Sequence, residues 1–264
     1  MQTLSPTQFE RALPLYEAAT HSRSFPFAVL DGLHVGRVLV DDTERPQVAL
    51  IDMAAGFLVF GGDASRGPAV ADAVREVLAS PGDEVVFFLA LSPEWQRALD
   101  GALAGRDPMW VRRLELTFDR AAFAALPDPT RDLPAGCSIV PYDRALAESA
   151  GGIPEMWGSV DRFLSAGVGH ALSVEGTPVC RCHTVFVGDR IAETSIETEE
   201  AHRRKGYALR TGAAFIAACL ERGLTPTWSC WDNNAPSVAL GQRLGFGAPR
   251  EVPVAIVRRP PREG

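Results

Sequence analysis

Nothing in this chain approaches the ~20 consecutive apolar residues of a membrane-spanning helix. The first residues, Met1-Gln-Thr-Leu-Ser-Pro, lack a basic head followed by an apolar run. A soluble, cytoplasmic protein is therefore expected, with no membrane partner. Cysteine is scarce. The five thiols, Cys137, Cys180, Cys182, Cys219 and Cys230, are odd in number and show no paired zinc-ligand spacing, so reduced thiols and no metal are expected. Cys180 and Cys182 fall on one face of a predicted strand, where small buried side chains fit better than ligands. Excess positive charge is also missing. A net charge of −7 argues against a broad nucleic-acid surface. No fixed-period repeat or low-complexity tract occurs, and with 264 residues at 46% hydrophobic the chain can bury a substantial core.

Against that acidic background one basic cluster stands out: His202-Arg203-Arg204-Lys205-Gly206-Tyr207-Ala208. Upstream, Arg190–Thr198 lacks breakers and is rich in β-branched residues, which predicts a strand. Downstream, Leu209, Ala213, Ile216 and Leu220 recur at helical spacing until Gly223. The cluster thus sits where a strand turns into a helix. The first N–H groups of a helix have no partner within it and the dipole there is positive, so a small polyanion such as a pyrophosphate satisfies several donors together. Gly206 permits close backbone approach, while Arg203, Arg204 and Lys205 add attraction. Taken alone, the same pattern is also that of a solvated basic helix start.

The flanks narrow the choice. Val179–Val187 alternates like a strand, Gly188-Asp189 supplies a tight turn, and Thr225–Trp231 predicts a further strand. Next comes Asn234-Ala-Pro236-Ser237, in which Asn234 caps a short helix, Pro236 fits its first turn and Gly245 ends it. Arg203-x-x-Gly206-x-Ala208, followed by Asn234-x-x-Ser237-x-x-Leu240 and Leu244-Gly245-Phe246, resembles the GNAT acyltransferase superfamily across the second half of the chain. Trp157-Gly-Ser159, Phe163-Leu164 and Gly167-Val-Gly169-His170 resemble more narrowly the subgroup that includes zwittermicin A resistance acetyltransferases.

The proline-rich stretch from Leu126 to Gly136 predicts a boundary between an N-terminal domain, 1–127, and a GNAT domain, 137–264. In the first half, strands are expected near Gln47–Met53, Phe57–Phe60, Glu84–Leu91 and Trp110–Phe118, with helices near Pro68–Ala79 and Pro93–Ala104. The fold class is mixed α/β, a GNAT acyl-CoA-binding fold preceded by a smaller mixed α/β domain that could be a degenerate copy. Gly61-Gly62-Asp-Ala-Ser-Arg66-Gly67 lacks the spacing of the later cradle and reads as an ordinary turn into a helix. Arg258-Arg259-Pro-Pro-Arg262-Glu-Gly264 is expected to be a solvated tail.

The resemblance implies an acetyl-CoA-dependent N-acetyltransferase that acts by direct attack of a small-molecule amine, such as an amino-bearing metabolite or antibiotic. A peptide or protein amine is the enzymatic alternative, and a non-catalytic acyl-CoA sensor or interaction protein the rival from another class. The sequence leaves oligomeric state open, a homodimer included. An alkyl amine, with a pKa of about 10.4, is mostly protonated at neutral pH, so a proton acceptor is useful. Glu193 matches the strand-borne glutamate that the resemblance implies, and Glu197 is the second candidate. In a regular strand Glu193, Ser195 and Glu197 share a face, whereas a bulge breaks that parity.

The resemblance also assigns backbone groups of Ile196 and Thr198 to the pantetheine arm and a strand N–H to the developing oxyanion. It joins Tyr207 to the cradle, and gives Asn234 and Ser237 polar contacts to the coenzyme besides their capping role. Where many members carry a tyrosine after the leucine, this chain has Gly241, so no general-acid tyrosine is assigned and water, Ser237 or Cys230 remain as donors. Trp157, Phe163 and His170 are the acceptor-pocket candidates. Trp157, Val160 and Leu164 also have the spacing of a helix core stripe, with Phe163 off it. His170 and, on the hairpin, His183 read equally as hydrogen-bonded loop or strand side chains.

Overall fold

The computed structural model describes residues 1–259. The chain packs as two compact units, Met1–Arg113 with Glu251–Gly264, and Leu114–Arg250. The first contains β1 (Gln2–Thr3), α1 (Ser24–Leu30), β2 (Gly36–Val40), β3 (Val48–Met53), β4 (Phe57–Gly62), α2 (Gly67–Ala79), β5 (Val85–Leu89) and α3 (Pro93–Ala102). β6 (Met109–Phe118) leads into the second unit. There follow α4 (Arg120–Ala124), β7 (Cys137–Pro141), α5 (Arg144–Ser149), α6 (Ile153–Trp157), α7 (Val160–Ala166), β8 (Gly169–Val174), β9 (Thr177–Gly188), β10 (Ile191–Thr198), α8 (Tyr207–Glu221), β11 (Thr225–Trp231) and α9 (Ala235–Arg243). β12 (Phe246–Arg258) returns to the first.

Each unit is a mixed sheet closed by a strand from the other half of the sequence. The first runs β1-β2-β3-β4-β5-β12, the second β7-β8-β9-β10-β11-β6. Each contains one parallel pair among antiparallel ones. β4 and β5 are parallel because α2 carries the chain back between them, and β10 and β11 are parallel because α8 does the same.

In the first unit α2 buries Val70, Ala73, Val74 and Val77, a helical stripe that meets Leu50, Leu58, Phe60 and Phe88. Trp95 and Leu99 of α3 join this core, as do Ala255 and Val257 of β12. In the second unit, period-two alternation along β9 sends neighbouring residues to opposite faces. Cys180 packs with Leu172 and Tyr207 under α8, joined by Val179, the extra β9 residue where the register with β8 shifts between Leu172 and Ser173. His183 lies on the other face with Tyr142 and Phe163, at ring separations of 5.9 and 6.3 Å.

The first-half elements fall within a few residues of their expected bounds, and β1, β2 and α1 are additional. The expected boundary stretch, 126–136, lies inside the second unit, where Arg210 of α8 donates to the carbonyls of Pro129 (2.7 Å) and Arg131 (3.0 Å). The tail expectation changes as well. Arg258 pairs with Glu84, and Arg259 donates to the carbonyls of Val77 (2.7 Å) and Ser80, closing the C-terminal turn of α2. Residues 260–264 of that stretch lie outside the described residues.

Truncation after Arg250 should therefore unfold the first unit, since it removes the buried Val252, Val254, Ala255 and Val257 and bares the edge of β5. Near-UV circular dichroism should fall and binding of an apolar dye rise. A native spectrum would show that β12 is dispensable.

Candidate functional site

The glycine turn into a helix forms where its sequence suggests. Gly206 is the N-cap of α8 with φ +78°, a left-handed conformation that costs any other residue about 1 kcal/mol or more. A Cβ built there meets nothing within 4 Å, so the space in front of the cap is open. No side chain caps α8, which leaves the N–H groups of its first turn facing that space. Arg204 and Lys205 are exposed beside it. Arg203 is also exposed, but its Nε donates to the carbonyl of Thr198 (3.1 Å), tying the turn to the end of β10.

Tyr207 belongs to the cradle by its backbone alone. Its ring is 8% exposed, packs beneath α8 and takes the Cys137 thiol at 3.8 Å on its hydroxyl. The buried face of α8 runs Tyr207, Thr211, Gly212, Ala213, Phe215, Ile216 and Cys219. Leu209 and Leu220, expected on that face, are only half-buried, because the helix leans on Gly212, where a Cβ would strike Leu244 at 2.7 Å.

β10 and β11 pair through three residues, from Ile191↔Thr225 to Glu193↔Thr227. Beyond them the ladder stops, so the β10 edge from Thr194 to Thr198 has no strand partner on the β11 side. The register of β10 against β9 shifts between Ala192 and Thr194, whose partners are Val187 and Thr184, so Val185 and Phe186 of β9 together face Glu193 and the extra residue lies in β9. Ser195 and Glu197 stand opposite His183 and Arg181, and β10 itself gains no residue between Glu193 and them.

The two carboxylates differ in setting. Glu193 is 1% exposed and accepts a hydrogen bond from Ser229 Oγ. Glu197 is exposed on the strand. Ser229 was not singled out by its sequence; its position two residues past Thr227, the in-register partner of Glu193, was the available signal. Among the backbone positions assigned to the pantetheine arm, the Thr198 carbonyl is already engaged by Arg203, and its hydroxyl donates to Cys180 Sγ (3.1 Å). The Ile196 side chain packs under α8.

Asn234 caps α9, its Oδ1 accepting from Ser237 N at 3.1 Å, and Ser237 Oγ accepts from Trp228 Nε1 at 3.1 Å. Capping is thus realised. Gly241 is buried, and a Cβ there would meet Trp228 at 3.1 Å and Leu116 at 3.2 Å, so glycine lets α9 lie against its strand.

The acceptor-pocket candidates do not converge. Trp157 (0% exposed) and Phe163 (1% exposed) form an edge-to-face pair at 5.4 Å inside the core. The single stripe through Trp157, Val160 and Leu164 fails because Gly158, at φ +76°, ends α6, and Ser159 caps a new helix by accepting from Arg162 N. His170 lies elsewhere. It lines a cavity of about 600 Å³ between α8, β7 and the 123–133 segment, with Ile139, Ala213 and Ala217 among its walls. Burial, and then the Arg222 charge, push its pKa below the usual value.

The hairpin joining β9 and β10 turns on Asp189 and Arg190, at φ +51° and +57°, rather than on Gly188, which remains paired with Ile191. Arg190 is held there by donating to the Gly223 carbonyl at 2.8 Å.

The sequence matches the GNAT acetyltransferase family over residues 18–254. It is 29% identical over 231 residues to YdfB, an uncharacterised N-acetyltransferase of Bacillus subtilis, covering 84% of this chain and 86% of that one. Among solved structures, a GCN5-related N-acetyltransferase-like protein from Streptococcus suis superposes with a TM-score of 0.72 at 22% identity, over 96% of this chain and 99% of that one. A tandem GNAT protein from the clavulanic acid biosynthesis pathway superposes with a TM-score of 0.62 at 14% identity, over 99% and 98%. At these identities the two structures speak for the fold.

One prediction concerns His183, whose Nδ1 is buried without a hydrogen-bond partner and whose pKa burial pushes down to about 4. The unfolded imidazole takes its proton near 6.5, so between about 6.5 and 4 the unfolded state binds the extra proton. Stability should fall as pH drops through that window, by at most on the order of 3 kcal/mol from this residue. Urea unfolding of His183→Phe should show a flatter pH dependence than the parent; an unchanged slope would remove His183 as its source.

Proposed function

Because the chain belongs to the GNAT acetyltransferase family, and is thus a GNAT N-acetyltransferase, we propose that its second unit transfers acetyl from acetyl-CoA to the amine of a small molecule by direct attack. The observation that carries this reading is the open, uncapped α8 N-terminus at Gly206, next to a strand edge left unpaired beyond Glu193.

These features suit the coenzyme. A pyrophosphate would take the first-turn N–H groups of α8, with Arg204 and Lys205 contributing charge. The pantetheine amides would pair with the free edge of β10 near Ile196, as an added strand does. Asn234 and Ser237 already spend their capping groups within the protein, which leaves the Asn234 amide nitrogen and the Ser237 hydroxyl hydrogen as donors. When bound, acetyl-CoA supplies an activated acyl group on a thiolate leaving group of modest basicity.

The residues of the chain then have distinct tasks. Glu193 takes the amine proton, directly or through one water, and Ser229 Oγ holds the carboxylate by donating to it. Glu197, exposed on the strand, attracts a cationic acceptor. A β10 backbone N–H released from pairing by the strand divergence donates to the developing oxyanion. No tyrosine stands at Gly241, so the proton for the sulfur comes from solvent or Ser237. An amino-bearing metabolite or antibiotic is the acceptor class that the sequence resemblance favours, and the odd, unpaired set of thiols suits a reducing compartment.

Calorimetric titration with acetyl-CoA should give saturable, near-stoichiometric binding to the parent protein and none to Gly206→Asp, whose carboxylate repels phosphate. Equal binding by both would displace the coenzyme from this cradle. Once an acceptor is in hand, Glu193→Gln should lower kcat/KM by about 10²-fold or more, and undiminished activity across the pH range would remove it as the base. In Ser229→Ala, loss of a donor to the carboxylate should move the acidic limb of the rate profile to higher pH. An unmoved limb would limit Ser229 to packing.

A further inference from the structure

The first unit repeats, element for element, the arrangement that carries the cradle in the second. β4 turns into α2 and β5 returns parallel to β4, as β10, α8 and β11 do. Each parallel pair holds through three residues, Phe57↔Phe87 to Val59↔Leu89 in the first unit and Ile191↔Thr225 to Glu193↔Thr227 in the second. After the third pair the strands part in both. In the first unit the gap opens into a cavity of about 630 Å³ at the carboxyl ends of the parallel strands, the place where sheets of this kind take ligands and a size suited to one small molecule.

The chemistry of this cleft differs from that of its counterpart. At the third pair, where the second unit carries Glu193, stands Val59, so no carboxylate is available there to take a proton. Where the second unit has Arg203-Arg204-Lys205, the shorter turn has Asp63-Ala-Ser65-Arg66. Asp63 Oδ1 accepts from Ser65 N (2.9 Å) and Oγ (2.7 Å), and Arg66 pairs with Asp41 at 3.4 Å. At the opposite rim Arg97 pairs with Glu94 at 3.0 Å, and Ser92 caps α3. Each of these charged groups thus already has a partner within the protein, Asp63 in Ser65 and the two arginines in carboxylates, so a charged ligand would have to displace one of them. The walls are apolar: Leu15, Tyr16, and the stacked rings of Phe60 and Trp95, 5.2 Å apart. Beyond Val59 the β4 edge from Phe60 to Gly62 has no strand partner on the β5 side, which offers backbone groups to one amide.

We propose that the cleft of the first unit is a non-catalytic binding site for an uncharged, largely apolar small molecule bearing an amide. An apolar amine takes this form once acetylated, a link that rests on the function proposed above; the site itself does not.

The test compares three near-isosteric probes by calorimetry on the full chain: N-phenethylacetamide, N-isopropylphenethylamine and 4-phenylbutanoate. The amide should bind saturably, and the cation and the anion at least about tenfold more weakly, as the cost of burying an unpaired charge requires. Ala98→Trp, which fills the cavity from α3, should abolish amide binding and leave the acetyl-CoA titration unchanged; if circular dichroism shows that variant misfolded, Ala18→Leu serves in its place. Gly206→Asp should retain amide binding, so failure of the coenzyme assignment leaves this measurement readable. Absence of saturable amide binding at millimolar probe, equal affinity for a charged probe, displacement of the amide by coenzyme A, or persistence of binding in the filled variant would each overturn the proposal.

Discussion

The parting of β10 from β11 after Glu193 is the constraint on which the open strand edge of the second unit depends. A strand that stayed paired past Glu193 would extend its parallel ladder with β11 and leave no free edge. That ladder ends at Thr227, where one extra residue in β9 shifts the register opposite Glu193, whose carboxylate accepts from Ser229. The same point opens the edge and supplies a carboxylate beside it. Beyond Glu193 the β10 side chains are engaged under α8 or in solvent, as Ile196 and Glu197 show, which leaves main-chain atoms at the open edge.

The cradle and the parallel strand pair around α8 were legible because they rest on local rules. A left-handed cap demands glycine, a helix start without a capping side chain exposes N–H groups, and Asn-x-x-Ser caps the next helix; each leaves its mark within a few residues. The acceptor side was not legible. Trp157 and Phe163 are large and aromatic, which suits a pocket wall and a core equally. Only packing separates the two, and packing put both in the core. The helix break at Gly158 was visible as a glycine, yet a glycine inside a helical pattern does not announce its φ. Ser229 was hidden for another reason, since its importance comes from its register against a strand 36 residues earlier.

Domain limits were hidden by topology. A proline-rich stretch at 126–136 has the composition of a linker, but the carbonyls within it are taken up by Arg210 and it serves as a wall beside α8. The two compact units divide within β6 and β12, continuous strands with no local signal of a boundary. Arg259, charged and close to two prolines, looked like tail composition, and its engagement of the α2 carbonyls depends on contacts 179 and 182 residues away.

The place of β12 has a consequence for synthesis. The first unit's helices and its other strands are made by residue 113, but β5 waits for Val254–Arg258 as its partner. At ribosomal rates of about 5–20 residues per second, that edge stays open for roughly ten seconds or more after the rest of the unit has emerged. Folding in order from the N-terminus is therefore closed to this chain. The half that is translated first must be finished last, and for that interval a nascent chain exposes an apolar strand that a chaperone, or a neighbouring copy, could capture.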